Sequence, residues 1–308
     1  METVDIGLWG VPLAILGGAI RVSTPFIFVS LGECLTERSG RINLGLEGTL
    51  VFGAMSGYAV AYETNSAFFG VLAAAFAGLL FGLVHGWICK FKGVNDIAIG
   101  IAMMLLGMGL AFFFGKPYVQ PVAPDLPAIS FGWWSSIPQV QAALQVNVLF
   151  LLGGLLAVFM TWMFRATRVG LIVRVVGDST DAARAMGLDP DLVRLLATGV
   201  GGALAGIGGA YLSLYYPGSW NEGISSGQGL MAIALVIFAR WSPANCFWAA
   251  LLFGGAGALG PALQSVGVTQ GYYLFFAAPY VLTLALLILT SSTERSMQGA
   301  PLELSLTK

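Results

Sequence analysis

Charge is scarce in this chain. Of 308 residues, 14 are lysine or arginine, 15 are aspartate or glutamate and one is histidine, which leaves 9% charged and a net charge of -1. Such a surface offers no basic patch interleaved with aromatics, so nucleic acid is not a partner to expect. Cysteine is scarce too. Cys34, Cys89 and Cys246 are unevenly spaced and make no disulfide framework; apolar packing is their simplest use. With so few polar groups, no metal-ligand cluster, catalytic triad or paired-carboxylate site is visible, which argues against an intramembrane enzyme. A phosphate-binding G-x-x-x-x-G-K-[ST] loop is also missing. Gly115-Lys116 runs into Pro117, and the other lysines lack the preceding glycines, so ATP hydrolysis would have to come from another polypeptide. The first basic residue is Arg21, too late for the basic stretch of a cleaved secretory signal, so no cleavage is expected.

What the chain has is apolar length. It is 57% hydrophobic, contains 42 glycines and has a mean hydropathy of +0.84, beyond what a soluble core could absorb. A bilayer crossing needs roughly 20 apolar residues. Stretches of that kind lie at 12–32, 46–62, 67–89, 95–115, 146–164, 195–215, 225–240, 245–264 and 272–291. The expected fold is therefore an all-α polytopic membrane bundle of roughly eight to ten spans, organised as a single domain over 1–308. The stretch 225–240 is short and glycine-led, as a half helix would be.

Basic residues beside spans are retained in the cytoplasm. If the spans alternate, Arg38, Arg41, Lys90, Lys92, Arg240, Arg295, Lys308 and the arginines of 165–194 share one side, and Lys116 alone takes the other. The N-terminus is then outside and the C-terminus cytoplasmic. The gap from Lys116 to Asn147 holds Pro117, Pro121, Pro124, Pro127 and Pro138, which block continuous helix, with Trp133 and Trp134, which favour headgroups. It reads as an external loop with a short interfacial piece. Gly78, Gly82 and Gly86, and later Gly202 and Gly206, recur every fourth residue, a spacing that lets helix backbones approach; the bland alternative is that glycine is common in membrane helices.

The segment 165–194 concentrates charge, with Arg165, Arg168, Arg174, Arg184 and Arg194 against Asp178, Asp181, Asp189 and Asp191. It cannot lie in lipid and is expected to be a cytoplasmic loop where a soluble partner docks. Within it, Gly177 to Gly187 combines helix formers with a capping start and a closing glycine. Arg174, Arg184 and Arg194 could pair with acidic groups of the partner; the alternative is a solvated charged loop.

Polar residues near membrane depth are costly and usually functional. Arg21 and Thr24 fall in the first apolar stretch, where Arg21 either lines a path or snorkels to the outer headgroups. Asn95 and Asp96 open the fourth, as an N-cap or as substrate contacts. A lone His85 between glycines reads as a hydrogen-bonded packing residue. Between the first two stretches, 32–48 carries Glu33, Glu37, Arg38, Arg41, Asn43 and Glu47 among glycines, which reads either as a broken segment buried in protein or as a cytoplasmic turn stapled by Glu37 and Arg38. Asn43 and Glu47 would hold that segment together or meet substrate directly.

Three of these segments resemble one family, the ABC importer permeases for simple sugars and nucleosides, which are related to the branched-chain amino acid permeases. Glu37-Arg38-Ser39-Gly40-Arg41-Ile42-Asn43-Leu44-Gly45-Leu46-Glu47-Gly48 is similar to the family's (T/S)ER(A/S)GxxNxGxEG signature. Gly177 to Gly187, with Ala182 and Ala183, resembles its coupling segment. Gly227-Gln228-Gly229-Leu230 through Phe238 resembles its GxGFxAxAVxxxG segment, with Leu230 in place of the usual aromatic and Ala239 in place of glycine. The match in order and spacing runs from about 20 to 290.

The resemblance implies a type II-like permease bundle in a bacterial cytoplasmic (inner) membrane. It implies a second permease chain, a cytoplasmic ABC ATPase and an extracytoplasmic substrate-binding protein as partners, with ATP and magnesium on the ATPase and no cofactor on this chain. Gly177, Asp178, Asp181, Ala182, Ala183, Arg184 and Gly187 would couple to the ATPase. Arg21, Thr24, Asn43, Glu47, Asn95, Asp96 and Gln228 are the candidates for signature and translocation path. The signature is most similar to the nucleoside branch, with a monosaccharide as the alternative solute. A proton- or sodium-coupled carrier is the rival class, and it should show acidic residues within the spans. Ala183→Glu and Gly187→Asp are both expected to spare insertion and abolish coupling.

Overall fold

The computed structural model describes residues 10–264, 274–275, 277–290 and 299–306. Arg295, Lys308 and parts of the expected span 272–291 lie outside the described residues. In chain order the elements are α1 (Gly10–Arg38), α2 (Leu46–Thr64), α3 (Ala67–Ile88), α4 (Asp96–Gly115), β1 (Ala128–Ser130), α5 (Pro138–Ala143), β2 (Gln145–Asn147), α6 (Val148–Ala166), α7 (Arg168–Asp178), α8 (Thr180–Ala185), α9 (Pro190–Leu214), α10 (Gln228–Phe238), α11 (Pro243–Gln264), α12 (Ala278–Thr290) and α13 (Leu302–Leu306).

Six described helices are long and apolar enough to cross a bilayer: Gly10–Arg38, Ala67–Ile88, Asp96–Tyr118, Val148–Ala166, Pro190–Leu214 and Pro243–Gln264. The outward faces of α3, α4 and α6 carry Phe76, Leu105, Phe113, Leu155 and Val158, all exposed, so apolar surface faces outward as a lipid-embedded bundle requires.

The centre of the bundle is α9, which packs on α1, α2 and α3. Its contact with α3 is made through glycine. A Cβ at Gly78 would collide with the Gly202 carbonyl, and one at Gly206 with the Ala74 carbonyl. The two glycine rows face each other, and their backbones touch.

The stretch 225–240 is indeed only partly helical: α10 has 11 residues and starts after a left-handed Gly227. The gap from Lys116 to Asn147 contains an antiparallel pair, with Ala128 opposite Asn147 and Ser130 opposite Gln145, where the sequence reads as a loop with a short interfacial piece. Three-residue strands fall below any readable alternation. Asn147 joins that pair to α6: its amide donates to Pro127 O at 3.1 Å and its Oδ1 caps Leu149 N at 2.8 Å.

Candidate functional site

The charged residues gather at one end of the bundle. Arg38 donates to Trp241 O at 2.9 Å and lies over the Phe164 ring, while Arg41 pairs with Asp96 at 2.7 Å. Together these contacts tie the end of α1 to the start of α4, the end of α6 and the end of α10.

The first surprise is how far α1 runs. It is helical to Arg38, so the break is confined to 39–45, and Glu33 and Glu37 belong to the helix rather than to a turn. Neither the turn stapled by Glu37 and Arg38 nor a break from residue 32 is formed. Both carboxylates are buried. Glu33 accepts from Asn43 N at 2.8 Å, which folds the turn back on the helix, and Glu37 accepts from the Trp241 indole. Asn43 then accepts from Gly45 N at 2.9 Å, leading the chain into α2. His85, buried between α3 glycines, meets Ile42 O at 3.2 Å. The donor to Glu37 lies more than 200 residues away and the donor to Glu33 is a backbone amide, so neither marks these carboxylates as buried groups in the sequence.

Glu47, in the first turn of α2, reaches across to α10. Its Oε1 accepts from Ser225 Oγ at 2.6 Å and from Gly227 N at 3.0 Å; its Oε2 accepts from Gly229 N at 2.6 Å. A buried carboxylate thus satisfies the free amides and the positive dipole end of the short helix. Gly229 is required there, because a Cβ would stand 2.6 Å from the Glu47 Cα. Gln228 heads the same helix, and its Oε1 is buried with no hydrogen-bond partner among the described residues.

At the start of α4, Asn95 caps Ile97 N and Ala98 N at 2.9 and 3.1 Å, while Asp96 turns to Arg41. Arg21 and Thr24 lie near the opposite end. Arg21 donates to Ala142 O and, with Tyr216, supplies the polar side chains of a cavity of about 280 Å³ walled by Gly17, Gly18 and Ala258. Arg21 is therefore turned into the bundle, against α5. The Thr24 hydroxyl is buried and donates to Ile20 O at 2.9 Å.

The segment 165–194 is more ordered than the expected loop. It folds as α7, a bend at Ser179, and α8. Ser179 Oγ caps Ala182 N at 3.2 Å. At the other end Leu188 N bonds Ala183 O at 3.0 Å and Gly187 N bonds Arg184 O at 2.9 Å, a Schellman closure that needs the left-handed φ of +75° at Gly187. Both termini of a six-residue helix are thus satisfied, which a helix too short to hold itself requires.

Six of the residues in and after this helix are exposed: Asp181, Ala182, Arg184, Ala185, Met186 and Gly187. Asp178, ending α7, is exposed as well, while Gly177 is buried against the end of α1. Ala183 is fully buried. It packs inward and offers nothing to a partner, so its replacement by glutamate would disturb the helix seat before any docking. Arg194 is likewise turned inward. It is 9% exposed and donates to Ser39 O at 3.1 Å, Val176 O at 3.4 Å and Thr180 Oγ1 at 3.0 Å, so it is not free to pair with a partner chain as its charge suggests. Glu303 on α13 joins the same cluster, a residue the sequence gives no reason to select. Burial raises its carboxyl pKa, but the Thr180 amide and hydroxyl and the Arg194 charge together pull it below the ordinary 4.5.

Residues 15–291 match the model of the family described as "Branched-chain amino acid transport system / permease component". The chain belongs to that family. It is a multi-pass membrane protein, an ABC importer permease of the sugar and nucleoside type. It is 33% identical over 259 residues to TsgC13 of Haloferax volcanii, provisionally named a glucose ABC transporter permease, covering 82% of this chain and 79% of that one. It is 28% identical over 292 residues to the nucleoside ABC transporter permease NupC of Lactococcus lactis, covering 89% and 91%. It is 27% identical over 289 residues to the guanosine ABC transporter permease NupQ of Bacillus subtilis, covering 88% and 89%.

Proposed function

We propose that this chain forms one half of the pore of an ATP-driven importer in a bacterial cytoplasmic membrane and passes a nucleoside inward. The observation that carries the motor half of this reading is α8. It is a short helix capped at both ends, held out at the arginine-rich end with Asp181, Ala182, Arg184, Ala185 and Met186 uncovered. Such a face suits the groove of a cytoplasmic ABC ATPase, which would bind the ATP and magnesium; this chain holds no cofactor. A second permease chain, identical or related, completes the pore, and an extracytoplasmic binding protein delivers the solute.

The nucleoside assignment is supported by NupC and NupQ, whose names specify nucleosides and which align over most of both chains. A monosaccharide is the second reading, favoured by the 33% identity to TsgC13. A proton-driven carrier would need carboxylates free to exchange protons within the spans. Glu37 and Glu47 are instead hydrogen-bonded to the Trp241 indole and to the amides of α10, while Glu33 accepts from Asn43 N through one oxygen and its Oε2 has no hydrogen-bond partner among the described residues.

Uptake into vesicles carrying the whole complex decides among these. Labelled guanosine and adenosine should accumulate with ATP and fail to do so without it, and unlabelled glucose should not compete. Competition by glucose would move the assignment to sugars, and uptake independent of ATP would overturn the importer reading.

A further inference from the structure

The described end of the chain, 299–306, lies directly on the helix assigned to the ATPase. Glu303 Oε1 accepts from both the backbone amide and the hydroxyl of Thr180, the first residue of α8, each at 2.8 Å. Its Oε2 stands 3.8 Å from Arg194 Nη2. Arg194 in turn reaches Thr180, Val176 and the signature turn at Ser39. The backbone around this knot is close-packed: ideal Cβ atoms at Gly40 and Gly177 would meet Glu303 Cβ and Pro301 Cβ, each at 3.3 Å. The segment around Pro301 and Glu303 is therefore wedged between the turn that follows α1 and the joint between α7 and α8.

Three features make this more than a resting tail. A negative carboxylate at the first amide of α8 opposes the positive dipole end of that helix. The contacts are charge-assisted and half-buried, which strengthens them relative to surface pairs. And they bridge to Arg194 at the start of α9, the helix at the bundle centre. We propose that Glu303 is a positioning residue for energy coupling: it fixes the angle of α8 and links that helix, through Thr180 and Arg194, to α9 and the signature turn. The ATPase then moves α8, α9 and the turn as one body. This rests on the assignment of α8 to the ATPase, but it adds a third element, the C-terminal segment, to the coupling site.

The test uses the complete complex in proteoliposomes, measuring solute imported per ATP hydrolysed. Glu303→Ala should lower that ratio about tenfold, the factor expected from losing one charge-assisted contact. ATPase co-purification and intrinsic hydrolysis should stay within about twofold of the parent, and Glu303→Asp should recover most of the ratio. Thr180→Val removes the shared hydroxyl without touching the C-terminal segment and should give the same defect, with Thr180→Ser restoring it. The double variant Glu303→Ala with Thr180→Val should be no worse than either single change.

An unchanged ratio in both single variants, or defects that add fully in the double variant, would overturn the clamp. If Glu303→Ala does not accumulate, the Thr180→Val and Thr180→Ser pair carries the result alone. If the parent complex itself shows no ATP-dependent uptake, it is the importer reading that fails, and the two failures are thereby told apart.

Discussion

Ala182 and Ala183 are neighbours of identical chemistry with opposite surroundings, one exposed and the other fully buried. Glutamate at 183 would put a carboxylate into the packed side of α8, where an unpaired charge costs several kcal/mol. Glutamate at 182 would meet only water, or the partner. Ala183→Glu is therefore expected to reduce accumulation of the permease in the membrane, whereas Ala182→Glu should leave its level unchanged and weaken stimulation of the ATPase several-fold. Quantitative blotting with ATPase assays separates the two, and equal protein levels for both variants would show that the inward and outward faces are misassigned. The small size of this pair is legible in the sequence, but its helical phase is not, because six residues contain too little periodicity to reveal a face. The same limit hides Arg194. An arginine in a charged, polar segment reads as solvent-facing until the carbonyls of Ser39 and Val176 are seen around it.

At the level of elements, the four-residue spacing of the glycines in α3 and α9 points to close helix packing, but glycine is common enough in membrane helices that the spacing alone leaves the bland reading open. The structure adds their partner relationship: each row is the other's contact surface. Gly78→Val would drive a side chain into the Gly202 carbonyl and should destabilise the protein by about 3 kcal/mol, the upper range for overpacking. Thermal unfolding in detergent should show a clear drop, while Gly109→Val on α4, where a Cβ meets open space, should show none. Comparable melting of the two variants would refute the close contact. The end of α1 was less legible. Glu33 and Glu37 interrupt an apolar run and so suggest water, yet the helix continues: an indole more than 200 residues away donates to Glu37 and the Asn43 backbone amide donates to one oxygen of Glu33. Buried carboxylates satisfied by distant donors leave no local mark. The Glu47 bridge to α10 is of the same kind: its position in the signature was evident, its donors Ser225, Gly227 and Gly229 were not.

For the whole molecule, charge asymmetry anticipated which ends of the helices come together. Arg38, Arg41, Asp96 and Arg194 share one end, and Glu303 reaches Thr180 there, as expected for a C-terminus on the side of the charged segment. Orientation in the membrane is open to a direct test, because Cys34, Cys89 and Cys246 are all buried and should react little. In a background of these three, Met186→Cys should be labelled by an impermeant maleimide only after the cytoplasm is opened, and Trp133→Cys in intact cells. The reverse pattern would invert the topology. The residue types of the spans thus disclosed the architecture, whereas the solute left little trace in them: Arg21 and Tyr216 are the polar side chains lining the cavity beside α5.

One helix spans the distance between that cavity and the arginine cluster. With 25 residues at about 1.5 Å each, α9 is roughly 38 Å long, begins at Pro190 just past α8 and ends at Leu214. Its flank is seated backbone to backbone against α3 at Gly78, Gly82 and Gly202, with Leu79 and Leu83 packed beside Gly199, so any displacement of its Pro190 end would have to carry α3 along or break that seam.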